Sequence, residues 1–130
     1  MALPVNHPLD EQTVYVTAGA ATIVVGVRAP FRGKIVKIGQ VLGAAITSAP
    51  LVTVASIVVP VADAAAPGAG TAITHPALST SNTNSAAGSQ SAVIPTAANI
   101  VNEDDTIVFT PSGAAGATTA VSDYATIQAF

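Results

Sequence analysis

The sequence predicts an all-β protein, an antiparallel sandwich or barrel of about eight strands. Of its 65 apolar residues, 27 are alanine, 17 valine and 10 isoleucine, and the valines and isoleucines fall in short runs. β-branched side chains pack well on a pleated sheet and have reduced helix propensity. Turn-forming segments separate these runs every 8 to 14 residues or so, and no stretch keeps a helical apolar spacing over three turns.

Each strand is predicted from a β-branched run bounded by breakers. In the first, Val14 and Val16 fall on one face and the intervening residues on the other. Pro30 follows the second run; because it cannot donate to a sheet ladder, it marks a corner. The predicted strands are 12–17, 21–28, 34–42, 51–59, 71–74, 91–94, 106–110 and 118–130.

Strict alternation makes two further predictions about which side chains share a face. In the third strand, Lys34 and Val36 lie on one face, and Ile35 and Lys37 lie on the other, until Gly39 permits a bend. In the last strand, one acidic residue shares a face with apolar residues; this face consists of Val121, Asp123, Ala125, Ile127 and Ala129.

A chain of 130 residues is expected to form a single domain. We predict a flexible N-terminal arm over residues 1–11, which contains Pro4 and Pro8, and one β-sandwich domain over residues 12–130. Two stretches rich in small and polar residues predict exposed loops, near 62–70 and near 78–91. The N-terminal residues lack a basic stretch followed by an apolar one, so we expect no secretory signal.

Residues 44–62 are apolar enough to suggest a membrane-spanning helix as an alternative. However, Pro50 and Pro60 interrupt the segment, and hydroxyl side chains are interspersed along it. The run between the prolines is rich in valine and has the length of a strand. We therefore expect a buried strand here and no membrane partner.

Charged residues make up only 8% of the chain, and their signs are segregated along the sequence. The four basic residues surround the predicted corner within ten positions; they are Arg28, Arg32, Lys34 and Lys37. They could form a basic surface that docks on an acidic partner, or a solvated sheet edge whose charges oppose aggregation. The net charge of −3 and the scarcity of aromatic residues argue against a nucleic-acid partner.

Residue types that carry catalysis or bind metals are scarce. The chain has no cysteine, and its two histidines, His7 and His75, each precede a proline and lie far apart in the sequence, as turn residues do. The acidic run 103–105 lacks an EF-type loop, so we interpret it as the turn that opens the strand at 106–110. Because there is also no nucleophile elbow and no phosphate-binding loop, we expect no catalytic residue, no metal site, no cofactor and no enzymatic activity.

The composition also predicts association with other chains. Alanine buries little area, so a core rich in alanine stabilises a monomer weakly. With so few charges, a monomer would also expose much apolar surface to water. We expect part of this surface to be buried in a homo-oligomer or on a larger assembly.

Three segments form a pattern spread over residues 14–129: Ala29-Pro30-Phe31-Arg32-Gly33-Lys34-Ile35, Leu51-Val52-Thr53-Val54 and Asp104-Asp105-Thr106-Ile107. This pattern resembles the small virion proteins of tailed bacteriophages known as capsid decoration, cement or head-stabilising proteins. The resemblance implies a β-sandwich of jelly-roll type without catalytic activity. It also implies a location outside an icosahedral head, where the protein cements adjacent capsomers. Its expected partners are the major capsid protein and further copies of itself, in a homotrimer or homodimer.

On this hypothesis, the N-terminal arm extends over a neighbour, and the basic corner faces an acidic capsid or partner surface. Cementing needs contact area and complementarity rather than reactive groups. The candidate interface residues are Leu3, Val5, Arg28, Phe31, Arg32, Lys34 and Lys37.

The alternative hypothesis is a carbohydrate-binding or adhesin-like β-sandwich at a virion or cell surface. Sugar sites commonly use an exposed Trp or Tyr ring with polar groups nearby. The chain has no tryptophan, so Tyr15 and Tyr124 are the candidates for such a ring.

Overall fold

The structure, a computed structural model, describes residues 11–47, 49–60, 70–112 and 120–130. Within these residues it contains ten β-strands and no helix. The strands are β1 (Glu11–Ala18), β2 (Val25–Arg28), β3 (Gly33–Leu42), β4 (Leu51–Val58), β5 (Thr71–Ala72), β6 (Leu78–Thr80), β7 (Gln90–Val93), β8 (Ile100–Val101), β9 (Thr106–Ser112) and β10 (Val121–Ala129).

The strands form two antiparallel sheets that pack against each other. Sheet I has the order β1-β10-β3, with β7 and β8 pairing along the other edge of β3. Sheet II has the order β2-β9-β4, with β5 and β6 along the other edge of β4. The chain crosses repeatedly between the sheets, and its first and last strands are neighbours, as in a jelly roll. The predicted antiparallel β-sandwich is therefore confirmed.

The core lies between the two sheets and is made chiefly of isoleucine, valine, leucine and alanine. Its largest side chain, Phe109 on β9, is fully buried among Ile35, Ile38 and other residues from both sheets. A smaller cluster, which includes Leu42, Ile46 and Leu51, fills a second part of the interior. Burial alternates along β4, because one face of this strand lies against the core and the other is the outer face of sheet II.

A β-bulge in β3 changes which residues share a face. Ile35 pairs with Ile127 and Lys37 pairs with Thr126, which leaves Val36 as the extra residue. Ile35 is buried in the core, whereas Lys37 lies on the outer face of sheet I together with Lys34. The prediction that Ile35 and Lys37 share a face is therefore wrong, because the bulge interrupts the alternation.

The prediction of a loop near 78–91 is wrong at both ends of this range, because β6 occupies Leu78–Thr80 and β7 begins at Gln90. Leu78 and Thr80 are buried, and β6 pairs with β4. Polar and small neighbours in the sequence conceal this short alternation. The short strand β8 was also not predicted, and it pairs with only two residues of β3.

Two other strands begin or end differently from the prediction. The second strand begins at Val25 rather than at residue 21. The residues before it form a turn instead, in which Ile23 N–H donates to Ala20 O. β9 continues through Pro111 to Ser112. It can do so because β2 pairs only with Thr106–Phe109, so β9 has an open edge at the proline.

Several predicted features lie outside the described residues. These include residues 1–10 of the predicted arm, with Leu3, Val5 and His7, and residues 62–69 of the first predicted loop. Glu11, assigned to the arm, is the first residue of β1.

Candidate functional surfaces

The basic residues do not lie on one flat surface. Lys34 and Lys37 project from the outer face of sheet I, and Arg28 at the end of β2 lies on the outer face of sheet II. Arg32 lies in the connection between these strands and stacks over the ring of Phe130, 5.3 Å from its centroid. Phe31 is half-buried and packs against the main core. The described residues of the predicted interface are therefore distributed around an edge of the sandwich.

The acidic turn lies beside this corner. Arg28 Nε is 3.2 Å from Asp104 Oδ1, and both side chains are largely exposed, so the pair contributes at most about 1 kcal/mol. Asp105 is buried; its Oδ2 accepts a hydrogen bond from Asn102 N–H at 2.9 Å. Asp104 adopts a positive φ of 73°. These contacts agree with the interpretation of the acidic run as the turn that opens β9.

The outer face of sheet I brings the two tyrosines together. Tyr15 on β1 is directly opposite Tyr124 on β10, with ring centroids 5.5 Å apart and ring planes inclined by 43°. Tyr15 is 64% exposed, whereas Tyr124 is 8% exposed. Lys37 Nζ lies 6.0 Å from the centroid of Tyr124. Tyr124 is thus enclosed by its neighbours, and Tyr15 presents its ring to solvent.

Gly39 makes this arrangement possible. It pairs with Tyr124 across β3 and β10, and the Tyr124 ring occupies the position that a side chain at residue 39 would need. Without a Cβ, residue 39 lets the ring lie against the backbone of β3. The glycine predicted to permit a bend therefore provides room for an aromatic ring.

A groove of about 410 Å³ lies close to the tyrosine pair. Thr126, which lines it, lies two residues from Tyr124 on β10, and its hydroxyl is hydrogen-bonded to that of Thr13 at 2.8 Å. The lining combines apolar side chains with a carboxylate, an ammonium and a hydroxyl group; it consists of Glu11, Val36, Lys37, Ala92, Val93, Ile94 and Thr126.

The outer face of sheet II has a different chemistry. Arg28 is the one charged residue in its five strands, and it lies at the end of β2. The rest of this face is formed by small and β-branched side chains, and Val54 near its centre is 46% exposed. The residues at its outward positions include Gly26, Val52, Val54, Ser56, Val58, Val108 and Thr110.

Polar groups also occur inside the sandwich. Gln40 on β3 is buried and links the sheets: its amide nitrogen donates to Thr80 Oγ1 at 2.8 Å and to Leu51 O at 3.2 Å, and its amide oxygen accepts from Thr53 Oγ1 at 2.6 Å. Asp123 on β10 pairs with Gln40 across the sheet and is 4% exposed. Its Oδ1 is buried without a hydrogen-bond partner, and burial raises the pKa of the carboxyl group to about 7.

His75 has a structural role. Its Nε2 accepts from Ala55 N–H at 3.2 Å, so its Nδ1 donates to Pro76 O at 2.7 Å. Both ring nitrogens therefore have partners, as expected for a turn histidine. Among the described residues, no group of three or more His, Cys, Asp or Glu side chains is placed to hold a metal ion.

No protein-family model matches the chain, and no curated protein matches it significantly. In the part of the chain that the structure describes, no helix could cross a membrane. The apolar segment that suggested one contains the sandwich strand β4 instead.

Proposed function

We propose that this protein is a structural, non-enzymatic virion protein that binds the outer surface of a phage capsid and cements adjacent capsomers. The observation that carries the proposal is the broad, almost uncharged outer face of sheet II. Its partner is the major capsid protein, and the protein acts as a homodimer or homotrimer. Jelly rolls are common in virus particles, which supports the proposal by analogy of fold.

The chemistry of this face favours contact over a large area. Small and β-branched side chains on a twisted sheet let another protein surface approach closely. Removing their apolar surface from water contributes about 25 cal/mol for each Å² buried, which offsets the entropic cost of association. Fully buried charge would be costly there, and Arg28 lies at the end of β2 rather than in the middle of the sheet.

The basic corner enters this proposal at the border of the contact. Arg28 lies on the same face, whereas Lys34 and Lys37 point away with sheet I. Charges at the border of an interface chiefly influence the rate of association and its salt dependence. We therefore assign the area of contact to sheet II and the electrostatic steering to Arg28 and Arg32.

The test is a charge placed in the middle of sheet II. Val54→Lys leaves the core unchanged, because Val54 points outward, but it buries an unpaired ammonium group in the proposed contact. Purified phage heads without bound decoration protein are mixed with each variant, and occupancy is measured after sedimentation. We expect Val54→Lys to lower the affinity by about 100-fold.

Gln90→Lys is the matched control, because it adds the same charge to sheet I at an exposed position. It should bind heads as the unmodified chain does. Equal occupancy for Val54→Lys would contradict the assignment to sheet II. Failure of the unmodified chain to bind any head of the phage that encodes it would contradict the proposed function. Light scattering on the same samples shows whether Val54→Lys prevents self-association instead. That result would mean that this face forms the contact between copies of the chain.

A further inference from the structure

The exposed ring of Tyr15 lies beside the Tyr124 ring on the outer face of sheet I. Both tyrosines lie in paired strands, and Tyr124 packs beside Tyr15 while resting over Gly39. A tyrosine ring offers a large contact area at a small loss of conformational entropy, and a site on paired strands is better ordered than one on a loop. The protein therefore presents a preformed aromatic surface that its proposed capsid contact on sheet II does not use.

The groove extends this aromatic surface. Lys37 lines the groove and also lies over the Tyr124 ring, and Thr126 is two residues from Tyr124, a separation of about 7 Å along a strand. Its volume of about 410 Å³ falls within the range of about 300–1,000 Å³ typical of small-ligand sites. The ring and the groove can thus be contacted by a single extended ligand.

The polar groups of the groove suit a ligand with many hydroxyl groups. The Glu11 carboxylate accepts hydrogen bonds, the Lys37 ammonium donates them, and the Thr13–Thr126 hydroxyl pair retains both a donor and free acceptor sites after its mutual bond. The remaining lining side chains are apolar. A sugar ring has the matching character, because its C–H faces are apolar and its rim carries hydroxyl groups.

From this geometry we propose that the outer face of sheet I binds an uncharged saccharide chain, with one sugar ring stacked on Tyr15 and the next in the groove. The groove contains one acidic and one basic side chain, Glu11 and Lys37, and so carries no net charge. This balance favours a neutral glycan over an anionic one. Because sheets I and II face in opposite directions, the protein can hold a glycan while it is attached by sheet II.

The two tyrosines supply a direct readout. They are the chain's only tyrosines and it has no tryptophan, so intrinsic fluorescence reports on this face. The purified protein is titrated with cellohexaose, maltoheptaose and mannan oligosaccharides, and its migration is followed in native gels containing the corresponding polysaccharides. We expect at least one neutral glycan to change the fluorescence and retard migration.

Tyr15→Ala should weaken this binding by about tenfold, because the stacking ring is lost, whereas Tyr15→Phe should retain it. Lys37→Gln should also weaken binding. Arg28→Gln is its control, since it removes the same charge from the opposite sheet. Because Tyr15 is largely exposed, these variants should melt at nearly the same temperature as the unmodified chain.

Three results would overturn the proposal. The first is the absence of binding to every neutral glycan tested. The second is equal binding by Tyr15→Ala. The third comes from gels that contain hyaluronan, an anionic polysaccharide included for comparison. Retardation only in these gels, lost in high salt, would indicate simple attraction of an anionic polymer to the basic side chains.

Discussion

Asp123 is a buried carboxyl group, and none of the residues described around it offers a cation. All four Lys and Arg side chains of the chain are exposed, and the residues opposite Asp123 on its two neighbouring strands are Val16 and Gln40. Gln40 directs its hydrogen bonds toward sheet II. Desolvation therefore favours the neutral acid, which is why the pKa rises from 3.8 to about 7.

This raised pKa makes folding stability depend on pH. Between pH 3.8 and about 7 the unfolded chain loses the Asp123 proton while the folded chain keeps it, so the contribution of this group to stability falls as pH rises through that window. We expect Asp123→Asn to remove this decline and to raise the melting temperature most at pH 8. Thermal melts of both proteins from pH 4 to pH 9 provide the measurement.

Glu103→Gln is the appropriate control, because Glu103 is an exposed carboxyl group. The melting temperature of this variant should vary with pH as that of the unmodified chain does. If the stability of the Asp123→Asn protein fell just as steeply with rising pH, the pH dependence of stability would have to arise from another group.

Position 123 also shows what alternation can and cannot predict. The sequence places Asp123 on the apolar side of the last strand, and the structure confirms this face. The alternation does not reveal that Gln40, its neighbour across the sheet, bonds instead to Thr53 and Thr80, because those partners lie in the opposite sheet.

At the scale of elements, the turn before β9 is bonded to the end of β2. Asp105 Oδ2 accepts from Asn102 N–H, and Asp105 O accepts from Ala29 N–H at 2.8 Å, which ties the turn to the end of β2. Asp105→Ala removes the side-chain bond and leaves a partly buried donor without a partner.

We expect Asp105→Ala to lower the free energy of unfolding by about 1–3 kcal/mol. Asp104→Ala should have a smaller effect, since its pair with Arg28 is exposed. Denaturant unfolding of both variants tests this order. The reverse order would mean that the exposed ion pair, rather than the buried carboxylate, holds the turn.

At the scale of the whole molecule, the two outer faces differ in chemistry. Sheet I exposes tyrosine, lysine and hydroxyl groups, whereas sheet II exposes small and β-branched side chains. Large apolar side chains elsewhere are also exposed, among them Val59, Ile94 and Ile100. On the proposed function, the outer face of sheet II is the apolar surface that other chains cover.

We expect the purified protein to form a homodimer or homotrimer at micromolar concentration. Size-exclusion chromatography with light scattering measures the mass directly against the 12.7 kDa of one chain. A stable, soluble monomer would contradict this expectation.

The sequence by itself determined the fold class and most of the strands, because β-branched runs, breakers and alternation are local signals. It also indicated Tyr15 and Tyr124 as the possible sugar-binding rings, simply because the chain has no other tyrosine and no tryptophan. Local patterns could not predict the bulge at Val36, the buried strand at Leu78, or the use of Gly39 as space for a ring. The tertiary structure decided these features, since each depends on contacts between residues far apart in the chain. It also divided the basic corner between two sheets and placed the two tyrosines side by side.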